Sequence, residues 1–323
     1  MKPLLFLAAA CCLIPLSGTA TAQTAWPERP VTVVVPFPAG GATDAAARAM
    51  ATQMQASLGQ PFVVDNRPGA TGTLGAGLVK RAAPDGYTLM VASLAPYVIA
   101  PHLMKAVPYD ALKDFDYLSV LVQAPNVLVA APAKKARTVA DVLAELRASP
   151  GRVSFASSGT GASDHLSAEL FWQQTQTSGL HVPYKGGAPA INDLLGNQVD
   201  YSFQNVNAVL QQIRAGTLHA IAVTGSRRSP VLPDTPTLAE AGVQGAEVYS
   251  WQGLAAPRGL PPAVREKAAA AAAAAMRAPA VAQRLTEQGL EIVANTPAEF
   301  SALQAREFAR WKHLIETRRI TVD

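Results

Sequence analysis

A glycine turn set between a β-branched run and a segment of helical periodicity occurs twice in this chain. Pro38-Ala39-Gly40-Gly41-Ala42-Thr43-Asp44 follows the run Val31 to Phe37, and Ser157-Ser158-Gly159-Thr160-Gly161-Ala162-Ser163-Asp164 follows Val153 to Phe155. The runs read as strands and the segments behind the turns as helices. Such a turn leaves unpaired backbone N–H groups at the positive end of a helix dipole, which is the arrangement that holds an anion. The turns end alike, in Gly-Ala-Thr-Asp and Gly-Ala-Ser-Asp, and the expectation is one anion gripped from two sides.

What surrounds the turns excludes several classes of protein. Lys2, the apolar run Leu4 to Leu16 and Ala20-Thr21-Ala22 read as a secretory signal peptide over residues 1–22, with Gln23 as the first mature residue. Cys11 and Cys12 both lie in that signal and neither follows a Leu-x-Gly/Ala lipobox, so the exported chain has no cysteine. Its stability must come from a core, and about 300 residues allow two ordinary domains. A membrane span needs roughly 20 apolar residues. The eight alanines at 268–275 are flanked by Arg265, Glu266, Lys267 and Arg277, and read as a soluble helix. The formal charge of +4 falls to +3 without Lys2, the basic residues are scattered, and no basic stripe interleaves with aromatics, which sets nucleic acid aside.

Along the chain, strand and helix alternate. Val31 to Val35, Phe62 to Val64 and Tyr87 to Ala92 read as strands. Ala47, Met50, Met54 and Leu58 recur at helical spacing between the first two, with Thr43 as the expected N-cap and Gly59 as the stop. A short helix to Ala83 follows Gly69, Gly72 and Gly75, which read as close-packing glycines, and a loop is expected from Ser93 to Pro101. The order implies a parallel α/β sheet with helical crossovers. A long β-rich run, Leu118 to Ala131 with Pro125 inside it, can carry the chain into a second lobe, where the pattern restarts. Thr138 with Asp141 opens a helix, the second glycine turn follows the strand at Val153, and Val199, Tyr201 and Phe203 alternate as a strand. A strand near Val248 to Leu254, two alanine-rich helices, a strand at Leu290 to Ala294 and a helix opened by Thr296-Pro297-Ala298-Glu299 complete it.

Several stretches carry a family likeness: Arg29 to Asp44, Leu58 to Ala70, Pro84-Asp85-Gly86-Tyr87-Thr88-Leu89, His181-Val182-Pro183-Tyr184-Lys185-Gly186 and Leu232-Pro233-Asp234-Thr235-Pro236-Thr237. Across essentially the whole mature chain the sequence resembles the Bug-type receptors, periplasmic solute-binding components of tripartite tricarboxylate transporters. The resemblance implies a two-lobed α/β periplasmic binding protein of type II-like architecture, each lobe a mainly parallel sheet flanked by helices, with the ligand cleft between them. It implies a first lobe of residues 23–124 plus 250–323 and a second of 125–249, with crossovers near Ala124 and Ser250. It also implies a small carboxylate held largely by backbone amides and ordered water, integral-membrane transporter subunits as partners, a periplasmic location and no cofactor; a monomer is the expectation.

The candidate ligand-binding residues are Phe37, Pro38, Ala39, Gly40, Gly41, Thr43 and Asp44 on the first turn and Ser158, Gly159, Thr160, Gly161, Ser163 and His165 on the second. Ser93 and Asn205, at the ends of strands, complete the set. Backbone donors discriminate by geometry, and the hydroxyls of Ser158, Thr160 and Ser163 can donate to oxygen. Asp44 has two readings. It stabilises the first turn of its helix, or it meets a ligand ammonium, which would favour an amino acid. His165 reads as a helix-start residue bonded to a neighbour or as a ligand group, and Lys185 as a solvated charge or an ion-pair partner of the ligand.

A periplasmic enzyme acting on a small anion is the rival class. The chain lacks G-x-S-x-G, H-E-x-x-H and G-x-x-x-x-G-K-[ST] motifs. Ser163, Asp164 and His165 are consecutive, so their side chains diverge at a helix start and make a poor triad. No catalytic residue is assigned. The histidines lack metal-ligand spacing, although distant residues can converge on a metal. A third class, a ligand-dependent partner of a sensor, uses the same closed form.

Overall fold

Val31–Val35 forms β1 and is buried on both faces along most of its length, as befits an interior parallel strand. It lies between β2 (Phe62–Asn66) and β3 (Thr88–Ser93), parallel to both. The computed structural model describes residues 26–322, and the expected signal peptide lies outside the described residues. Beside β3 runs β9 (Tyr249–Pro257), antiparallel, and beside that β4 (Phe115–Ala130), a 16-residue strand. The short β10 (Glu291–Ile292) lies on the other edge of β4.

Strand β4 changes partners halfway along. Up to Pro125 it pairs with β9, with Ala124 opposite Ser250 and Pro125 opposite Tyr249. From Asn126 onward it pairs with β7 (Tyr201–Asn205) on one side and β8 (His219–Val223) on the other. Pro125 has no N–H to give to a ladder, so the break in pairing falls where the backbone lacks a donor. Beyond β7 come β5 (Ser154–Ser157) and β6 (Leu180–Pro183), parallel to one another and to β7. Each lobe thus sets three parallel strands beside the antiparallel strands that join the lobes.

Helices cover both faces. On one side of the first lobe α1 (Ala42–Leu58) packs against α8 (Pro262–Arg277), with Ala46, Ala47 and Met50 of α1 in the same buried cluster as Ala268, Ala272 and Ala275 of α8. Next to them lies α9 (Pro279–Glu287). On the corresponding side of the second lobe lie α6 (Gly187–Leu195) and α7 (Val206–Arg214). The opposite face is one apolar core continuous through both lobes, under α2 (Thr73–Lys80), α3 (Ala100–Leu103), α4 (Val139–Ala148), α5 (Ser163–Thr175) and α10 (Pro297–Arg318). Among the described residues no helix is long and apolar enough to cross a membrane.

Two local expectations differ from the structure. The stretch expected as a loop from Ser93 to Pro101 is helical after Ser93, which ends β3: a π-helical turn spans Ala95–Ile99 and runs into α3. Pro96 and Pro101 are each the second residue of their element, within the first turn, where a missing N–H costs little. Thr43 does not cap α1. The N-cap is Gly41, without a side-chain bond, and Thr43 lies inside the helix. The capping boxes at Thr138–Asp141 and Thr296–Glu299 are both complete.

The π-helical turn positions the floor of the crevice. Its Tyr97 is fully buried, stacks on Trp251 at 5.9 Å and donates its hydroxyl to the Gly253 carbonyl at 3.1 Å. Gly253 is closed in from the other side, since a Cβ there would lie 2.3 Å from the Phe300 ring. These contacts pin β9 around Gln252.

Candidate ligand cleft

The C-terminal ends of β1, β3, β5 and β7 converge on one crevice between the lobes, the position at which open α/β sheets bind ligands. A cavity of about 510 Å³ fills it, lined by Phe37, Ala42 and Thr43 after β1, Ser93 to Ala95 after β3, Ser158 to Asp164 after β5, and Asn205 after β7. Thr71, Ser250, Gln252 and Val322 close the remaining sides.

The first turn is held by its aspartate. Gly40 takes φ +88°, a conformation that costs an L side chain but not glycine. Asp44, 4% exposed, accepts from the Gly40 N–H at 3.0 Å, Arg48 Nε at 2.9 Å and Asn66 Nδ2 at 3.0 Å. Burial works to raise its carboxyl, but the bonds from Arg48, Gly40 and Asn66 outweigh it and hold the group below the usual carboxylate range. Asn66 Nδ2 also donates to the Phe37 carbonyl at 3.1 Å, which ties both ends of the turn to β2.

The second turn repeats the device. Asp164, 3% exposed, accepts from the Ser158 N–H at 2.6 Å, the Ser158 hydroxyl at 2.5 Å and the His165 N–H at 2.8 Å. Here burial prevails over those bonds and pushes the carboxyl up. Two imidazoles add further support. Gly161 N–H donates to His165 Nδ1 at 3.0 Å, and Gly159 N–H donates to Ser157 Oγ at 3.2 Å, which in turn meets His181 Nε2 at 2.6 Å. The two rings stack with centroids 3.7 Å apart. Burial, with His165 beside it, depresses His181 to about 4. His165 Nε2 lies 3.6 Å from Glu169 Oε1, and Arg318 at the end of α10 donates to Glu169 Oε2 at 2.6 Å. Burial would raise Glu169, but the bonds from His165 and Arg318 keep it low.

With the aspartates serving the turns, other donors are left for the cavity. The N–H groups of Ala42 and Thr43 at the start of α1, of Thr160 in the second turn, and of Ser163 and Asp164 at the start of α5, bond to no other described residue. Among the described residues no lysine or arginine lines the cavity, so the donors an anion meets there are hydroxyls, amides and the N–H groups of turns and helix starts. Among the described residues no group of three His, Cys, Asp or Glu could hold a metal ion.

Of the residues singled out in the sequence, Phe37, Thr43, Ser93, Ser158, Gly159, Thr160, Gly161, Ser163 and Asn205 line the cavity. Pro38, Ala39, Gly40 and Gly41 are exposed and do not line it, and Asp44 and His165 lie behind the two turns. Lys185 is exposed and off the cavity. Thr71, Leu94, Ala95, Ser250, Gln252 and Val322 line it without having been singled out. Gln252 had a visible signal, a polar residue between Trp251 and Gly253-Leu254 in an apolar strand, whereas Thr71 and Val322 reach the crevice only through the tertiary fold.

Fold and crevice together define the class: a two-lobed solute-binding protein with its site between the lobes. Residues 46–320 match the tripartite tricarboxylate transporter family receptor, TctC, and the chain belongs to that family. The protein BugT of Bordetella pertussis is 37% identical over 312 residues, which cover 96% of this chain and 94% of BugT. Among solved structures, R. palustris Rpa4515 with adipate is 34% identical with a TM-score of 0.83, covering 92% of this chain and 99% of its own. MatC from Rhodopseudomonas palustris with bound malate is also 34% identical, with a TM-score of 0.79, covering 90% of this chain and 100% of MatC.

Proposed function

We propose that this chain is a periplasmic receptor that binds a small carboxylate between its lobes and delivers it, without chemical change, to integral-membrane transporter subunits. The observation that carries the reading is the convergence of free N–H groups from two helix starts, α1 in one lobe and α5 in the other, on a cavity with no basic side chain among the described residues. One carboxylate group, or the two ends of a dicarboxylate, would bridge them, and closure strengthens each bond by removing water. The adipate and malate held by the two solved relatives support this ligand class. In this reading the lobes comprise residues 23–124 plus 250–323 and 125–249, residues 1–22 are removed on export, and the receptor acts as a monomer.

A thermal-shift series on the mature chain tests it, with C4 to C6 dicarboxylates set against neutral sugars and phosphate esters. A ligand held only by the folded state stabilises it by roughly 2.7 kcal/mol at 100 times its Kd. The reading predicts that at least one carboxylate raises the Tm and is recovered unchanged. A response to sugars or phosphate esters alone, or turnover of the carboxylate, overturns it.

A further inference from the structure

The crevice holds two side-chain amides that the glycine turns do not account for. Gln252, in the middle of β9, is 4% exposed, lines the cavity, and its Oε1 has no partner among the described residues. Asn205, at the end of β7, also lines the cavity and has a buried, unpartnered Oδ1. Other buried polar atoms lack a partner, such as the indole N–H groups of Trp172, Trp251 and Trp311, but Asn205 and Gln252 are the ones of that set that line this cavity. They come from opposite lobes, so closure brings them to bear on one ligand.

The chemistry of an amide narrows what that ligand carries. A carboxylate only accepts, so it satisfies an amide NH2 and leaves an amide oxygen without a donor. A hydroxyl accepts from the NH2 and donates to the oxygen, and so serves an amide whichever end is turned toward it. An ammonium also donates, but it needs a counter-charge. Among the described residues Asp164 is the one acid lining the cavity, and its carboxyl is committed to Ser158 and His165; Asp44 lies off the cavity, bonded to Gly40, Arg48 and Asn66.

We infer that Gln252 and Asn205 are specificity residues that select a carboxylate bearing a hydroxyl group, a hydroxy acid in preference to its unsubstituted or amino counterpart. The inference rests on the carboxylate reading above. Sites built to hydrogen-bond a ligand hydroxyl discriminate strongly against the analogue without it, because the analogue leaves their polar groups unpaired.

Calorimetric titration of the mature chain with two matched pairs, malate against succinate and 2-hydroxyadipate against adipate, tests the inference. For the pair whose length fits, the hydroxy acid is expected to bind at least about tenfold more tightly. In Gln252→Met, which keeps the length of the side chain and removes its polar atoms, the ratio should collapse to within about twofold, by weakening the hydroxy acid alone. Asn205→Ala provides a second variant if Gln252→Met fails to fold, since Asn205 is the N-cap residue of α7 without a side-chain capping bond. It should lower the ratio in the same sense. If the acids bind but the hydroxyl gains nothing, or if both variants weaken the two members of a pair equally, the inference is wrong while the carboxylate reading stands. If no acid binds the unaltered chain, both fail.

Discussion

Acidification should weaken the second turn through His181. Its imidazole is held neutral, with Nε2 2.6 Å from the Ser157 hydroxyl oxygen, which accepts the Gly159 N–H. Burial and the stacked His165 ring depress it from 6.5 to about 4, with Glu169 opposing. Between those values the unfolded chain binds a proton that the folded chain refuses. The neutral ring's contribution is therefore complete above about pH 6.5 and is lost as pH falls toward 4. At about 1.4 kcal/mol per pH unit the whole depression corresponds to roughly 3 kcal/mol, most of it already lost by about pH 4.5. The groups facing the ring are His165, Glu169 and, behind Glu169, Arg318, so the comparison must remove His181 alone. Urea unfolding of the unaltered chain and of His181→Gln, at pH 7 and at pH 4.5, makes that comparison. Gln cannot titrate, so the variant should lose about 2–3 kcal/mol less across this range than the unaltered chain. Equal losses, within about 0.5 kcal/mol, would refute the assignment.

Other expectations follow from the same geometry. Gly161 takes φ +81°, and a Cβ there would lie 2.2 Å from Leu103 across the crevice, so Gly161→Ala should weaken ligand binding at least about tenfold by calorimetry. Gly40 has φ +88° but open space around it, so Gly40→Ala should cost only about 1–2 kcal/mol in chemical denaturation. Asp44→Ala strips the Gly40 N–H and Arg48 Nε of their acceptor and Asn66 of one of its two, and should cost about 1–3 kcal/mol, while leaving the ratio of aspartate to succinate affinity unmoved; a change in that ratio would make Asp44 an ammonium partner after all. Thr296→Ala breaks the capping box of α10 and should cost about 1 kcal/mol by urea unfolding, with ligand affinity unchanged.

The parts of this fold that are legible in the sequence are those governed by neighbours a few residues apart. Strand periodicity, the capping boxes at Thr138 and Thr296, and the glycines that permit positive φ at Gly40, Gly159 and Gly161 are all local. Where an expectation differs, a nearby alternative was stronger than the one read. Thr43 resembles an N-cap, but Asp44 reaches back to the Gly40 N–H, and α1 starts from Gly41 instead. The prolines at 96 and 101 look like helix breakers, yet each stands in the second position of a helical turn that runs on.

The crevice is less legible because its contacts join residues far apart in the chain. His165 and His181 show nothing in sequence that would stack them, and Arg318 reaches Glu169 only because α10 of the first lobe extends to α5 of the second. The same distance explains the aspartates. Each closes a local loop of hydrogen bonds on its own turn, so each could be read as a helix-start residue from the sequence alone. The amides of Gln252 and Asn205 have no such local loop. Their unpaired oxygens acquire a meaning only once β9 and β7 bring them to one cavity, which is why the part of the site that would distinguish one carboxylate from another is the part that local pattern does not carry.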